Sequence, residues 1–105
     1  IVITSDSEPD PRLVDFCQGA DIMLVECSGT KAFYDSVAFG GWHLTPEDVG
    51  ALARDAGVKT TVLKHFVMES FTDDPDCAEK MAETVRSIHP AGEVHAAKDG
   101  MRFDL

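Results

Sequence analysis

Positive charge is scarce in this sequence. Nine lysines and arginines stand against nineteen aspartates and glutamates in 105 residues, a formal net charge of −10. Carboxylates spread along a whole chain repel a phosphate backbone, so nucleic acid is not favoured as a partner of this segment taken alone. Long apolar runs are missing too: nothing approaches the roughly 20 consecutive apolar residues of a membrane span, and no signal-peptide pattern is present. The sequence reads as a soluble, cytoplasmic protein with no membrane partner. Cysteine is sparse and odd in number. Cys17, Cys27 and Cys77 show no Cys-x-x-Cys spacing, which argues against a disulfide framework and a cysteine-built zinc site and leaves reduced thiols. An initiator methionine is absent: Ile1 lies inside an apolar run, as in a chain cut within an element, so a fragment is expected.

What is present is an apolar content of 44 %, enough for one domain with a modest core. Strand and helix signals alternate along it. The β-branched run IVITS is followed by Asp10 as a cap and Pro11 at a first helical position, with Leu13, Val14 and Cys17 on one side and Gly19 as the stop. DIMLVEC is a short continuous apolar run, the pattern of a strand covered on both faces either by two helical layers or by one layer and a partner. Residues 28–42 are rich in glycine and aromatics without a clear period and read as a long functional loop. Thr45 then predicts an N-cap, with Pro46 at N1, Asp48 closing a capping box, a stripe of Val49, Leu52, Ala53 and Ala56, and Gly57 as the stop. KTTVLKHF predicts a third strand. A loop over residues 67–74 leads to a helix capped by Asp74, starting at Pro75, striped by Ala78, Met81, Ala82, Val85 and Ile88 and ended by Pro90. EVHAAKDGMRFDL splits at Asp99-Gly100, the signal for a terminal hairpin. This order predicts an α/β layered domain with a largely parallel first portion.

Four polar residues fall where such a fold gathers ligands. Asp6 follows the first strand, Glu26 and His65 end the second and third, and His43 precedes the best-capped helix. The crevice beyond the carboxyl ends of the strands is where these side chains converge, and carboxylate with imidazole suits zinc or manganese. Each also has a plain structural reading. His65 serves as a satisfied strand-end residue, His43 bonds a loop carbonyl, Glu26 is a solvated strand end, and Asp6 forms a turn. His89 and His95 fit only the structural reading.

The stretches ITSDSEP, GADIMLVECSG, WHLTPEDVGALARDAGVKTTVLKHF and EVHAAKDGMRFDL, in this order and over essentially the whole chain, resemble the C-terminal half of metallo-β-lactamase-fold hydrolases of the ribonuclease Z-like and phosphodiesterase branch. The resemblance implies half of an αββα sandwich: one mixed sheet, flanking helices and a C-terminal hairpin, with residues 1–105 as a single part and the N-terminal half absent. It implies a centre of two divalent metal ions, zinc or alternatively manganese, completed by ligands that this chain lacks. Asp6 corresponds to the carboxylate bridging the metals and His65 to the last histidine ligand. His43 corresponds to the histidine assisting at the scissile phosphate, and Glu26 to its carboxylate partner. Ser5 stands where the family usually has glycine, and Val25 and Cys27 replace the surroundings of the family's His-Glu-Ala-Thr. No His-x-His-x-Asp-His stretch occurs.

The expected partners are thus the N-terminal half of the same fold and a phosphodiester or other small-molecule substrate, with homodimerisation open. A sulfatase or lactonase of the same fold is the alternative activity. A non-catalytic interaction half, inactive without its partner, is the alternative of another class. Substrate choice should lie in the long loop, where Phe33, Tyr34, Phe39 and Trp42 either stack on a base or aromatic ester or pack on their own scaffold.

Overall fold

The computed structural model describes residues 1–38 and 42–105. In chain order the elements are β1 (Val2–Ile3), α1 (Arg12–Cys17), β2 (Ile22–Glu26), α2 (Lys31–Ser36), α3 (Pro46–Ala56), β3 (Thr60–Lys64), a 3₁₀ turn (Val67–Phe71), α4 (Cys77–Ile88) and β4 (Glu93–Ala96). The sheet order is β1-β2-β3-β4 and every pairing is parallel. Among the described residues no helix is long and apolar enough to cross a membrane.

That strand order never reverses, and right-handed crossovers that never reverse lay their helices on one side of a sheet. Strand alternation then separates two rows of side chains. Val2, Met23, Val25, Leu63, Val94 and Ala96 belong to or pack on one core cluster with Cys17 of α1, Val49, Leu52 and Ala53 of α3, and Met81, Ala82 and Val85 of α4. Burying a side chain such as Leu63, which is fully enclosed, contributes about 1.5–3 kcal/mol. The other row, Ile3, Leu24, Val62 and His95, is aligned across the sheet by register and lies outside that cluster. Its cover is partial, for Val62 is buried while Ile3 keeps 64 % of its surface in solvent. Of the two arrangements open for the apolar second strand, the helices thus form one layer.

α3 forms as its residues dictate. The Thr45 side chain accepts from the Asp48 N–H, the Asp48 carboxylate accepts from the Thr45 N–H at 2.9 Å, and Gly57 takes φ 66°, a left-handed stop that costs glycine no Cβ clash. Gly50 faces α4 so closely that an added Cβ would lie 2.8 Å from Ile88 Cβ.

Four sequence-based boundaries need correction. The loop expected over residues 28–42 contains α2, whose N-cap Thr30 accepts from the Phe33 N–H. α1 begins at Arg12, one residue later than expected, although Asp10 does accept from the Arg12 N–H at 2.8 Å as a cap would. Asp74 accepts from the Asp76 N–H at 3.0 Å and thereby closes a turn, and α4 starts only at Cys77. The terminal hairpin and the mixed sheet it required are not formed among the described residues. The Asp99-Gly100 signal makes a local turn, closed by Met101 N–H to the Lys98 carbonyl. Beyond it Phe103 folds back edge-on to His95, 5.3 Å between centroids, instead of running beside β4.

Candidate functional site

The carboxyl ends of three adjacent parallel strands open on one rim, and all four expected site residues stand there. Asp6 follows β1, Glu26 ends β2, His65 directly follows β3, and His43 lies two residues before the cap of α3. Asp6, His43 and His65 offer ligand-type atoms that all lie within 4.8 Å of one another. His65 Nδ1 is 3.3 Å from Asp6 Oδ1, and the two imidazole centroids are 5.7 Å apart.

His65 has φ 63°, the one non-glycine positive φ among the described residues. Left-handed backbone costs a residue with a Cβ about 1 kcal/mol or more, and such strain persists where the surroundings hold a side chain in a particular direction. At the end of β3 the reversal presents the imidazole to Asp6 and Ser28.

Glu26 is fully buried, which removes the solvated strand-end reading. Its Oε1 accepts from the Leu44 N–H at 2.9 Å and the Ser7 N–H at 3.2 Å, and lies 3.2 Å from His43 Nδ1. Its Oε2 accepts from Ser28 Oγ at 2.6 Å. Three donors and the His43 ring nitrogen surround its two oxygens, three of these groups at Oε1 and one at Oε2, and hydrogen bonding of this kind is how a carboxylate sits in the interior. The Leu44 contact also fixes the backbone next to His43, so Glu26 holds the imidazole through its ring and through its chain.

Two further residues enter the site: Ser28, which sequence reasoning did not assign to it, and Tyr34, named there only among the aromatics of the long loop. Ser28, fully buried, meets both imidazoles: its Oγ lies 3.2 Å from His43 Nδ1 and 3.3 Å from His65 Nδ1. Tyr34 of α2 stacks on His43, centroids 6.1 Å apart and planes 13° from parallel. Its buried hydroxyl points toward Ser28 without meeting hydrogen-bond geometry, and burial pushes the phenol up to about 12, with Ser28 opposing the shift. Ser28 carried no sequence signal, since one serine after a strand forms no pattern.

The other aromatic residues of the expected specificity loop divide. Phe33 packs on its own scaffold, against Tyr34 and Phe71. Trp42 is 69 % exposed, and Phe39 lies outside the described residues. Beside His43 a cavity of about 520 Å³ is lined by Pro9, Lys31, Tyr34, Asp35, Thr45, Glu47 and Asp48, three carboxylates against one ammonium that Asp35 already pairs at 2.8 Å. Cys27 adjoins the site, and burial and then the Glu26 charge push its thiol up. His89 bonds the Val58 carbonyl at 2.7 Å and His95 faces Glu93 and Phe103, both away from the rim as their structural reading required.

Known proteins similar to this chain share both its sequence and its fold. No family model matches. Ribonuclease Z of Kineococcus radiotolerans is 34 % identical over 97 residues, 90 % of this chain and 29 % of that protein. Ribonuclease Z of Thermoplasma volcanium is 32 % identical over 105 residues, all of this chain and 32 % of that protein. Ribonuclease BN of Cronobacter sakazakii is 32 % identical over 94 residues, 90 % of this chain and 30 % of that protein. Among solved structures, the metallo-beta-lactamase fold protein YhfI from Bacillus subtilis matches with a TM-score of 0.75 at 22 % identity, covering 94 % of this chain and 37 % of its own. The chain therefore spans about a third of the length of the curated relatives it matches.

Proposed function

Because the chain belongs to the ribonuclease Z-like family of the metallo-β-lactamase fold, we propose that it supplies the carboxyl-terminal half of a metal-dependent hydrolase that uses a dinuclear centre on a phosphodiester. The observation that carries this reading is the meeting of Asp6, His43 and His65 within 4.8 Å, with a buried carboxylate behind His43. Carboxylate and imidazole donors fit zinc or manganese. In this proposal Asp6 and His65 hold metal, Asp6 as the bridging carboxylate, and the remaining ligands come from an N-terminal half absent from this sequence. When bound, the two cations lower the pKa of a shared water and neutralise charge on the phosphate.

The chain's own residues have two tasks in this reading. His43, oriented by Glu26 at 3.2 Å, gives the Nε2 proton of its cationic form to the oxygen leaving phosphorus and regains one from water, as an imidazole held by a carboxylate is suited to do. The cavity beside it receives the arm of the substrate that does not react. Three carboxylates on its wall disfavour a second phosphate there, so an uncharged arm is preferred to a polynucleotide strand. The sheet face bearing Ile3 and Leu24 is where the N-terminal half would pack.

The test is hydrolysis of bis(p-nitrophenyl) phosphate by the chain extended with its upstream coding sequence. Metal-dependent release of p-nitrophenol, abolished by chelation and restored by zinc or manganese, is expected. A metal-loaded protein that leaves this ester intact and cleaves an aryl sulfate or a lactone would replace the phosphodiester reading. One that binds no metal would support a non-catalytic interaction half.

A further inference from the structure

We infer that Ser28 is a positioning residue that sets the protons of both site histidines with one hydroxyl. A serine hydroxyl has one hydrogen to donate and two lone pairs to accept with. Ser28 Oγ has three partners: Glu26 Oε2 at 2.6 Å, His43 Nδ1 at 3.2 Å and His65 Nδ1 at 3.3 Å. A carboxylate only accepts, and the 2.6 Å separation is that of a charge-assisted O–H to O⁻ bond, so the single hydrogen is committed to Glu26. What remains facing the two imidazoles is lone pairs. Each Nδ1 must then carry a hydrogen of its own.

The other neighbours of the two nitrogens impose the same assignment. His43 Nδ1 also faces Glu26 Oε1 at 3.2 Å, and His65 Nδ1 also faces Asp6 Oδ1 at 3.3 Å. Every polar atom given within reach of either Nδ1 is an acceptor, and a neutral imidazole protonated there keeps its free lone pair on Nε2. The hydroxyl thereby couples Glu26 to both rings and holds them in one tautomer. Its surroundings fix it in turn: Ser28 is fully buried, and its carbonyl accepts from the Met68 N–H at 2.8 Å. The functional meaning rests on the proposed reaction, in which Nε2 of His65 takes a metal and Nε2 of His43 faces the substrate.

Long-range ¹H–¹⁵N correlation on the ¹⁵N-histidine-labelled 105-residue chain, metal-free and above the histidine titration range, reads the tautomers directly. His43 and His65 are expected as Nδ1–H forms. Ser28→Ala should bring Nε2–H signal into His65, which keeps only the exposed Asp6 as its acceptor, and Ser28→Thr should restore the original spectrum. In the extended protein, Ser28→Ala should weaken zinc binding about 10–100-fold, the usual cost of losing an orienting partner, with Ser28→Thr close to the parent. An Nε2–H form at either ring in the unmodified chain overturns the inference, and that spectrum decides even if Ser28→Ala does not fold. So do unchanged tautomers and unchanged affinity in a folded Ser28→Ala protein. Correct tautomers in a protein that hydrolyses no phosphodiester would sink the proposed reaction and leave this assignment standing.

Discussion

At the scale of single residues, Glu26 and Asp6 separate by their surroundings. Glu26 is enclosed and accepts from three donors, whereas the Asp6 side chain is 65 % exposed with His65 beside it. On the proposed reading one holds a neighbour and the other reaches an ion. Glu26→Gln should therefore lower turnover of the extended protein about 10–100-fold while metal content stays nearly whole, because the lost charge lies behind His43 and not at a metal. Loss of metal on that change would contradict the role. Asp6→Ala should reduce the metal count measured by plasma emission, and full dinuclear occupancy in that variant would show that the bridging role belongs elsewhere. Asp6, Glu26, His43 and His65 were legible in the sequence, since strand ends in an alternating α/β chain face one crevice and the resemblance gave each a role. Ser28 was not legible. Its weight lies in three distances from one oxygen to groups 2, 15 and 37 positions away, which no local pattern encodes.

At the scale of elements, the contact of α3 with α4 turns on Gly50. Alanine there improves helix propensity by about 1 kcal/mol. Against this, its Cβ would stand 2.8 Å from Ile88 Cβ, a rigid atom beside the backbone, and overpacking of this kind costs about 1–3 kcal/mol. Gly50→Ala should thus lower stability in urea unfolding, and the added change Ile88→Ala should make the alanine at position 50 favourable. A stabilised Gly50→Ala single variant would mean that the helices separate without cost. α3 was legible because a cap, a proline, a capping-box acid, an apolar stripe and a glycine stop all agree over one stretch. α2 was not: it is six residues long, its threonine cap lacks an acidic residue at the third position, and glycines flank it in sequence. The hairpin was misjudged for the opposite reason. A strong two-residue turn signal was present, yet a turn specifies a strand pair only when the chain beyond it meets an edge.

For the whole molecule, the sheet order explains both the single helical layer and the exposed Ile3 on the other side. A parallel sheet is ordinarily covered on both faces, so the partly covered row bearing Ile3 is the face on which the proposed N-terminal half would pack. The net charge of −10 and the acidic wall beside His43 belong to this scale too, since carboxylates at this density repel a phosphate backbone. The central claim is that this chain contributes part of a dinuclear centre and cannot complete it alone. The most direct test is metal content, by plasma emission, of the 105-residue chain and of the chain extended with its upstream coding sequence, each purified in the same zinc-containing buffer. Two equivalents bound by the extended protein, and fewer than two by the chain alone, is the predicted result. No metal in either would contradict the claim and reduce Asp6, His43 and His65 to a structural cluster.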